Sequence, residues 1–573
     1  MIDQFSNQED LTLTDLVRHN LPRRFQTVGF YVRVFAMYVI PLVLAPLLRD
    51  RSPENHATFI VLYVLFLWLF QSIPPAIVSF LPLILAPTFL NSVTDSLLQN
   101  YTSETMVLYI AYALVVNGVE ATNLHKRLIL TSLLVFGGKS GFIIGGFVTT
   151  TILVSMWTNA VKTAAIVLPI AMEAIQHIQD NRLFHVFELR TRFLHKPLGI
   201  GTPIVEARYL IEGGIVIPDV IHILSEFFTV KKGLLIGICY SAVLGSMGSV
   251  VGCGGNLFVK AFMEQMYNYR TLTMSHWALS HMPLTALCAF LLWIVLSVCY
   301  SSDVVSSDHI SKRAFEDVIY KRFAQLGAIT YTEVATLIIL FIMALAIIAT
   351  HYYAEYSETL GADNPLSENA CVCITVIVMY ALPHVRTEEA KSNRRCRVHN
   401  VEQAVKKISW AFVITMGAGI CVAKLIVGYN LQKFFTHLLP HNLISSTFWL
   451  QVLVACVALV LAEINNSLNN IIIFAPIIAH MSDAVKVHPM YLVMPFTFCS
   501  YFGFVLASAT PVCEYVADYG DLQDDEFLLP GIAMKIGCTL IVLLAYNTWC
   551  WDNFSLRVPL APLMKNGTAS NFS

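Results

Sequence analysis

Eleven apolar runs constrain this chain more than any other feature. They cover 29–48, 57–72, 75–90, 105–122, 233–251, 277–300, 332–351, 366–383, 409–428, 488–507 and 527–549, and each approaches the roughly 20 residues that a helix needs to cross a bilayer. In lipid a segment must satisfy its own backbone polar groups, so such runs form helices. Only 13% of the residues are charged, against about 25% in soluble proteins, too few to cover a water-facing surface. The pattern predicts an all-α polytopic membrane protein surrounded by lipid. With 36 basic and 38 acidic residues there is no basic excess to suggest a nucleic-acid partner. The opening "MIDQFSNQEDLTLTDLVRHN" lacks the basic start and apolar centre of a cleaved signal peptide, so the first span is expected to serve as an uncleaved signal.

Two further apolar regions, 137–178 and 443–480, are broken by polar clusters. The first contains "SMWTNAVKTAAIVLPI", with Thr158, Asn159 and Lys162 at its centre. Polar residues at membrane depth are costly unless protein or a water-filled cavity surrounds them, so both regions are read as re-entrant hairpins. They share one register. An offset of 307 carries Asn123 and Leu124 onto Asn430 and Leu431, Asn159 onto Asn466, Pro169 onto Pro476 and Ile170 onto Ile477. An odd number of spans separates the copies, which makes them inverted. Paired interrupted segments in inverted halves point to a transporter's central site. Two tips meeting near the midplane would present N–H groups and helix dipoles to an anion. The alternative is that Asn159 and Asn466 satisfy each other or a neighbouring carbonyl.

Basic loops set the orientation. The segments 179–232, 301–325 and 386–407 are rich in Lys and Arg, whereas 352–365 has none. The first three are therefore expected inside, with the N-terminus cytoplasmic and the C-terminus extracellular. Sequons at Asn553, Asn566 and Asn571, and another at Asn100, fall on the outer side and are candidate glycosylation sites. The expected organisation is a tail (1–28), first-repeat scaffold helices (29–136), an inner hairpin (137–178), a cytoplasmic loop (179–232) and a broken helix (233–268). Scaffold helices (277–435), an outer hairpin (443–480), a second broken helix with the last span (488–549) and an outer tail (550–573) follow. Of the thirteen cysteines, Cys239, Cys288, Cys371, Cys373, Cys421, Cys456, Cys499 and Cys538 lie in apolar runs without a ligand pattern. They read as small buried hydrophobes, with no metal site.

At the hairpins the chain resembles the divalent anion/sodium symporter family, which includes sodium–dicarboxylate and citrate cotransporters and the insect "I'm not dead yet" carrier. The likeness extends to "WLFQSIPPAIVSFLPLILAP", "NLHKR", "WAFVITMGAGICVAK" and "LASATPVCEYVADYG" and covers about 30–550. It implies two hairpins among about eleven helices in an inverted-repeat, elevator-type homodimer. It also implies that tip triplets and two loops hold substrate carboxylates and sodium. Both triplets are altered here, to Asn159-Ala160-Val161 and Asn466-Ser467-Leu468. The loops read Gly252-Cys253-Gly254-Gly255-Asn256 and Ala509-Thr510-Pro511-Val512-Cys513, and Gln71 stands where an acid is expected. The substrate-binding residues are expected to be Asn159, Asn466, Ser467, Thr510 and Asn256, with Lys162 added from its place beside the first tip and not from the resemblance. The cation-binding set is Thr158, Asn159, Gly252, Asn256, Asn465, Asn466 and Ala509, with Na+ as the coupling ion. Val161 and Leu468 each lack a hydroxyl, which weakens the cation sites more than the anion site.

Lys162 has three readings. Its ammonium snorkels to a cytoplasmic vestibule, pairs with Glu463, or supplies the positive charge that sodium supplies in relatives. Lys424 and Lys260 read as helix-end snorkelers, His19, His125 and His384 as solvated loop residues, and Glu514 as structurally paired, with proton binding as its alternative. No nucleophile elbow, phosphate loop or metal-ligand cluster suggests an enzyme. The expected function is a plasma-membrane carrier of di- or tricarboxylates such as succinate or citrate, with sodium-independent transport open. A sulfate or other oxyanion carrier and a non-transporting sensor or scaffold are the rivals.

Overall fold

The computed structural model describes residues 37–49, 52–90, 97–136, 143–194, 218–269, 272–300, 309–360, 367–382, 401–429 and 446–557, with Leu431 and Leu560. Every regular element among them is helical. The elements used below are α1 (Pro53–Phe70), α2 (Leu81–Leu90), α3 (Glu104–Ala121), α4 (Leu124–Phe136), α5 (Ile143–Ser155), α6 (Ala160–Leu194), α7 (Pro218–Met247), α8 (Gly254–Tyr267) and α9 (Met274–Tyr300). They continue with α10 (His309–Leu326), α11 (Tyr331–Leu360), α12 (Glu368–Ala381), α13 (Trp410–Gly428), α14 (Thr447–Ile464), α15 (Ser467–Val485), α16 (Pro489–Cys499), α17 (Pro511–Gly520) and α18 (Asp524–Asn547).

Nine helices among the described residues are long and apolar enough to cross a membrane. Seven coincide with expected spans; the other two, Ala160–Asn181 and Thr447–Ile464, are hairpin arms. The four remaining expected spans are shorter apolar helices, at Met37–Leu48, Pro75–Leu90, Glu368–Ala381 and Pro489–Cys499. The run 488–507 is thus not one span. Its helix stops at Cys499 and, apart from a single 3-10 turn at Ala507–Ala509, the chain is irregular to Thr510. There Gly503 passes so close to the second hairpin that a Cβ would stand 2.7 Å from the Ala462 carbonyl. The expected loop 179–232 is also corrected, because α6 runs on to Leu194 and α7 starts at Pro218. Residues 1–28, 301–308 and 386–400, His19, His384, Asn430, Asn566 and Asn571 lie outside the described residues.

The helices sort themselves by what they cover. On α9, Leu279, Leu287, Phe290, Ile294 and Val298 point outward, as lipid demands and water would not. The helices α8 and α16 are sheathed almost completely, and so line the inside. Residues of α3, α11 and α12 share a smaller core of their own, around Leu108, Val115, Met343, Val372 and Met379. The first hairpin packs instead with α7 and α17, and the second with α8 and α16. The four chain breaks of this larger unit, at 156–159, 248–253, 465–466 and 500–510, carry the site.

Candidate functional site: two hairpin tips and two broken helices

Each tip is built the same way. The helix α5 ends at Ser155, and α6 restarts at Ala160 behind Asn159. The Asn159 Oδ1 accepts the Val161 N–H at 2.9 Å. At the second tip α15 restarts at Ser467 behind Asn466, whose Oδ1 accepts the Leu468 N–H at 3.0 Å. Donor and acceptor are both displaced by 307, so the repeat read in the sequence recurs as one capping turn used twice. Both asparagines are exposed, and among the described residues neither Nδ2 donates a hydrogen bond. They do not satisfy each other. The N–H groups of Ala160 and Lys162, and of Ser467 and Asn469, belong to first turns that have no carbonyl within their own helix.

Two loops bind the tips into one unit. The Ser249 hydroxyl donates to the Met156 carbonyl at 2.5 Å and accepts the Gly252 N–H at 2.9 Å. The Asn256 amide donates to the Ser249 carbonyl at 2.9 Å, and its oxygen accepts the Tyr501 hydroxyl at 3.0 Å. Gly255 is required here, since a Cβ would lie 2.4 Å from both Ile471 and the Tyr501 hydroxyl. At the second tip Glu463 accepts the N–H groups of Val505 and Leu506 at 3.2 and 3.1 Å. Thr510 caps α17 by accepting the Cys513 N–H at 3.3 Å. Met156 and Glu463 are again 307 apart, so each hairpin is tied to its loop from the same register position.

Of the expected anion-binding residues, Asn159, Asn466 and Ser467 sit on the tips. Asn256 is fully buried, with both ends of its amide engaged in the loop, and Thr510 is 8% exposed. Oxygens expected to face a cation face donors instead. Asn465 Oδ1 accepts both Gln71 Nε2 at 2.6 Å and the Asn466 N–H at 2.9 Å. Its Nδ2 donates to Asn470 Oδ1 at 3.0 Å. The Thr158 hydroxyl donates to the Val154 carbonyl and lies 2.5 Å from that of Thr163. Gly252 and Ala509 carry only backbone groups to this site.

Lys162 does not pair with Glu463. Its ammonium lies 2.8 Å from Glu120 and 3.4 Å from Asn117, both on α3, because the tip abuts the C-terminal end of that helix. Lys407 stands 3.7 Å from the same carboxylate. Glu463 is bound by Lys535 at 2.7 Å. Lys260 and Lys424 are not snorkelers. Lys260 is 5% exposed and meets Glu264 at 2.7 Å and the Leu272 carbonyl at 2.6 Å; Lys424 donates to Asn100. Asn100 is therefore buried and unsuited to glycosylation as folded, while Asn553 is exposed and donates to Ser280. His125 is buried against the Val119 carbonyl, not solvated. Cys239, read as a lone hydrophobe, is bonded to Cys513 across α7 and α17, with Cα atoms 5.3 Å apart. Sequence reasoning also missed Ser249, Tyr501 and Glu120. A glutamate near the end of an otherwise apolar α3, with a lysine at the facing tip, was the available signal for the last.

Residues 26–555 match the family described as the sodium:sulfate symporter transmembrane region. Similar relatives include the rat Na(+)/dicarboxylate cotransporter 3, 24% identical over 91% of this chain and 93% of its own. The human solute carrier family 13 member 1 is 24% identical over 95% and 98%, and the rat Na(+)/citrate cotransporter 22% over 92% and 96%. With nearly its whole length matched and its apolar helices arranged around two hairpins, the chain belongs to the divalent anion:sodium symporter family, as a multi-pass membrane transporter and not an enzyme.

Proposed function

We propose that the protein carries di- or tricarboxylates, such as succinate or citrate, captured between its two hairpin tips. The observation that carries this reading is the matched pair of capped tips, each leaving an exposed asparagine amide and first-turn N–H groups for an oxyanion. The names of the relatives support carboxylates as cargo. Ser467 and Lys162 join the site from the first turns behind the asparagines.

The cation sites argue for transport that does not need sodium. A cation at the second tip would have to displace the Gln71 and Asn466 N–H groups from the Asn465 oxygen, and Val161 and Leu468 each lack the hydroxyl that the family resemblance leads one to expect. In this reading the tips and broken helices move together as an elevator against the α3, α11 and α12 scaffold of a plasma-membrane homodimer. The N-terminus is cytoplasmic, and Asn553, Asn566 and Asn571 are glycosylated outside.

Uptake of radiolabelled succinate, citrate and sulfate by surface-expressed protein, with and without sodium, tests the reading. Succinate or citrate uptake that persists without sodium is expected. Sulfate uptake alone would move the cargo to inorganic oxyanions, and no uptake of any anion would leave a sensor or scaffold.

A further inference from the structure

Among the described residues, the packed interior of the larger unit holds a histidine–aspartate–tyrosine cluster that plays no part in the tips. His480 and Asp483 lie one turn apart on α15, and Tyr267 is the last residue of α8. His480 is 2% exposed, and the side chain of Asp483 is 5% exposed. The His480 Nδ1 stands 3.4 Å from Asp483 Oδ2, without hydrogen-bond geometry. The Tyr267 hydroxyl donates to that same Oδ2 at 3.2 Å. The His480 Nε2 and Asp483 Oδ1 have no hydrogen-bond partner among the described residues.

We infer that His480 and Asp483, with Tyr267, form a proton-binding site. An ionised aspartate beside a neutral histidine would bury one negative charge, at a large cost in lost solvation. A single added proton makes the pair neutral, whether it rests on the carboxyl or on the imidazole. On the imidazole it also turns the 3.4 Å approach into a charge-assisted contact. The proton belongs to the pair and not to either residue.

No other described charge competes for this role. The helix α15 packs on α14, α16, α8, α13 and α1. Their ionisable groups have partners elsewhere or make no recorded contact with the pair. Glu463 of α14 holds Lys535, and Lys260 and Glu264 of α8 hold each other. Lys424 of α13 holds Asn100. His488, ahead of α16, accepts the Met490 N–H, and Tyr491 donates to Asn547. His56 of α1 meets the Phe89 carbonyl. Glu54 and Tyr63 of α1, Cys456 of α14, Cys499 of α16, Cys421 of α13, and Lys486 beside the pair complete the described set, and among the described residues only Tyr267 reaches the pair.

The placement gives the site a use. The helices α8 and α15 begin at the first loop and at the second tip, and the cluster joins their far ends. A proton held there therefore alters how firmly the two helices that start at the anion site are fastened together.

The test needs no substrate, so its failure is separate from failure of the carboxylate reading. Purified full-length protein in detergent is unfolded by heat across about pH 5.5–8.5, as wild type, as the H480Q/D483N double variant and as Tyr267→Phe. Where folding takes up a proton at the pair, the wild type gains stability as the pH falls. That gain is lost as the pH rises. The wild-type midpoint should therefore exceed that of the double variant by the most at acid pH, with the gap closing toward alkaline pH. A constant gap, or one that shrinks on acidification as for a histidine buried neutral, overturns the site. Should the double variant fail to fold, Tyr267→Phe carries the test. Loss of the hydroxyl that favours the carboxylate should push the fading of stability to higher pH, and an unmoved curve counts against the proposal.

Discussion

The two hairpin tips share a backbone and differ in almost everything else. Both restart a helix behind an asparagine that caps its own first turn, and both carry a proline ten residues on, Pro169 and Pro476. Their surroundings part company at once. The first tip is charged: Lys162 reaches Glu120 across to α3, and its side chain is 41% exposed. The second is a closed amide lattice of Gln71, Asn465 and Asn470, with Asn465 and Asn470 buried. The comparison teaches that the turn is what both halves retain. The turn supplies the N–H donors, whereas the side chains around it are free to diverge.

The ties to the loops break this symmetry most sharply. Glu463 and Lys535 are 16% and 14% exposed at the side chain, and the carboxylate also holds two backbone N–H groups. Glu463→Ala leaves an ammonium unpaired in an apolar setting, an expected loss of about 3–5 kcal/mol. At the matching position of the first hairpin the tie is a neutral hydrogen bond, so Ser249→Ala, which also removes the acceptor of the Gly252 N–H, should cost only about 1–2 kcal/mol. Thermal unfolding of the two variants measures the difference, and equal losses would mean that the ties are equivalent after all.

The tip asparagines come next. Asn159→Ala and Asn466→Ala each remove a cap, worth about 1 kcal/mol, and an exposed amide donor. Each should lower succinate uptake roughly tenfold at equal surface expression, about 1.4 kcal/mol of lost binding to the carboxylate. Equal losses support a pocket shared by both tips, and a loss confined to one would place the anion on that side alone.

How far the sequence foretold all this follows the same division. Backbone features were legible, because apolar length, the 307 offset and the paired Pro-Ile positions are local or periodic signals. Long-range side-chain pairing was not. Nothing in the linear order brings Gln71 to Asn465, 394 positions away, or Cys239 to Cys513, 274 away. Lys162 shows the limit well. The sequence marked it as a charge needing an answer but offered Glu463, because that residue flanks the other tip. The acid that answers it sits on α3, where the tip happens to dock. Asn256 shows the converse. Its position in the loop drew attention, yet folding gave both ends of its amide to Ser249 and Tyr501.

The smallest effect belongs to Lys162, and it sharpens the contrast between a capping turn that carries a charge and one that carries amides. The Lys162–Glu120 contact is half open to water, so the pair itself contributes about 0–1 kcal/mol to stability. Lys162→Ala should scarcely change unfolding, because Lys407 remains 3.7 Å from Glu120 to balance the carboxylate. Uptake is the more sensitive readout. If the ammonium helps to hold the anion, removing it should reduce uptake in sodium-free buffer by about threefold to fivefold, the equivalent of a partly screened charge. Lys162→Arg should restore most of that loss, since it keeps the charge and can still reach Glu120. Uptake equal to wild type for Lys162→Ala in sodium-free buffer would reduce the lysine to a fastening between tip and α3. The amide-lined second tip would then be the better guide to how the anion is held, by neutral donors on both sides.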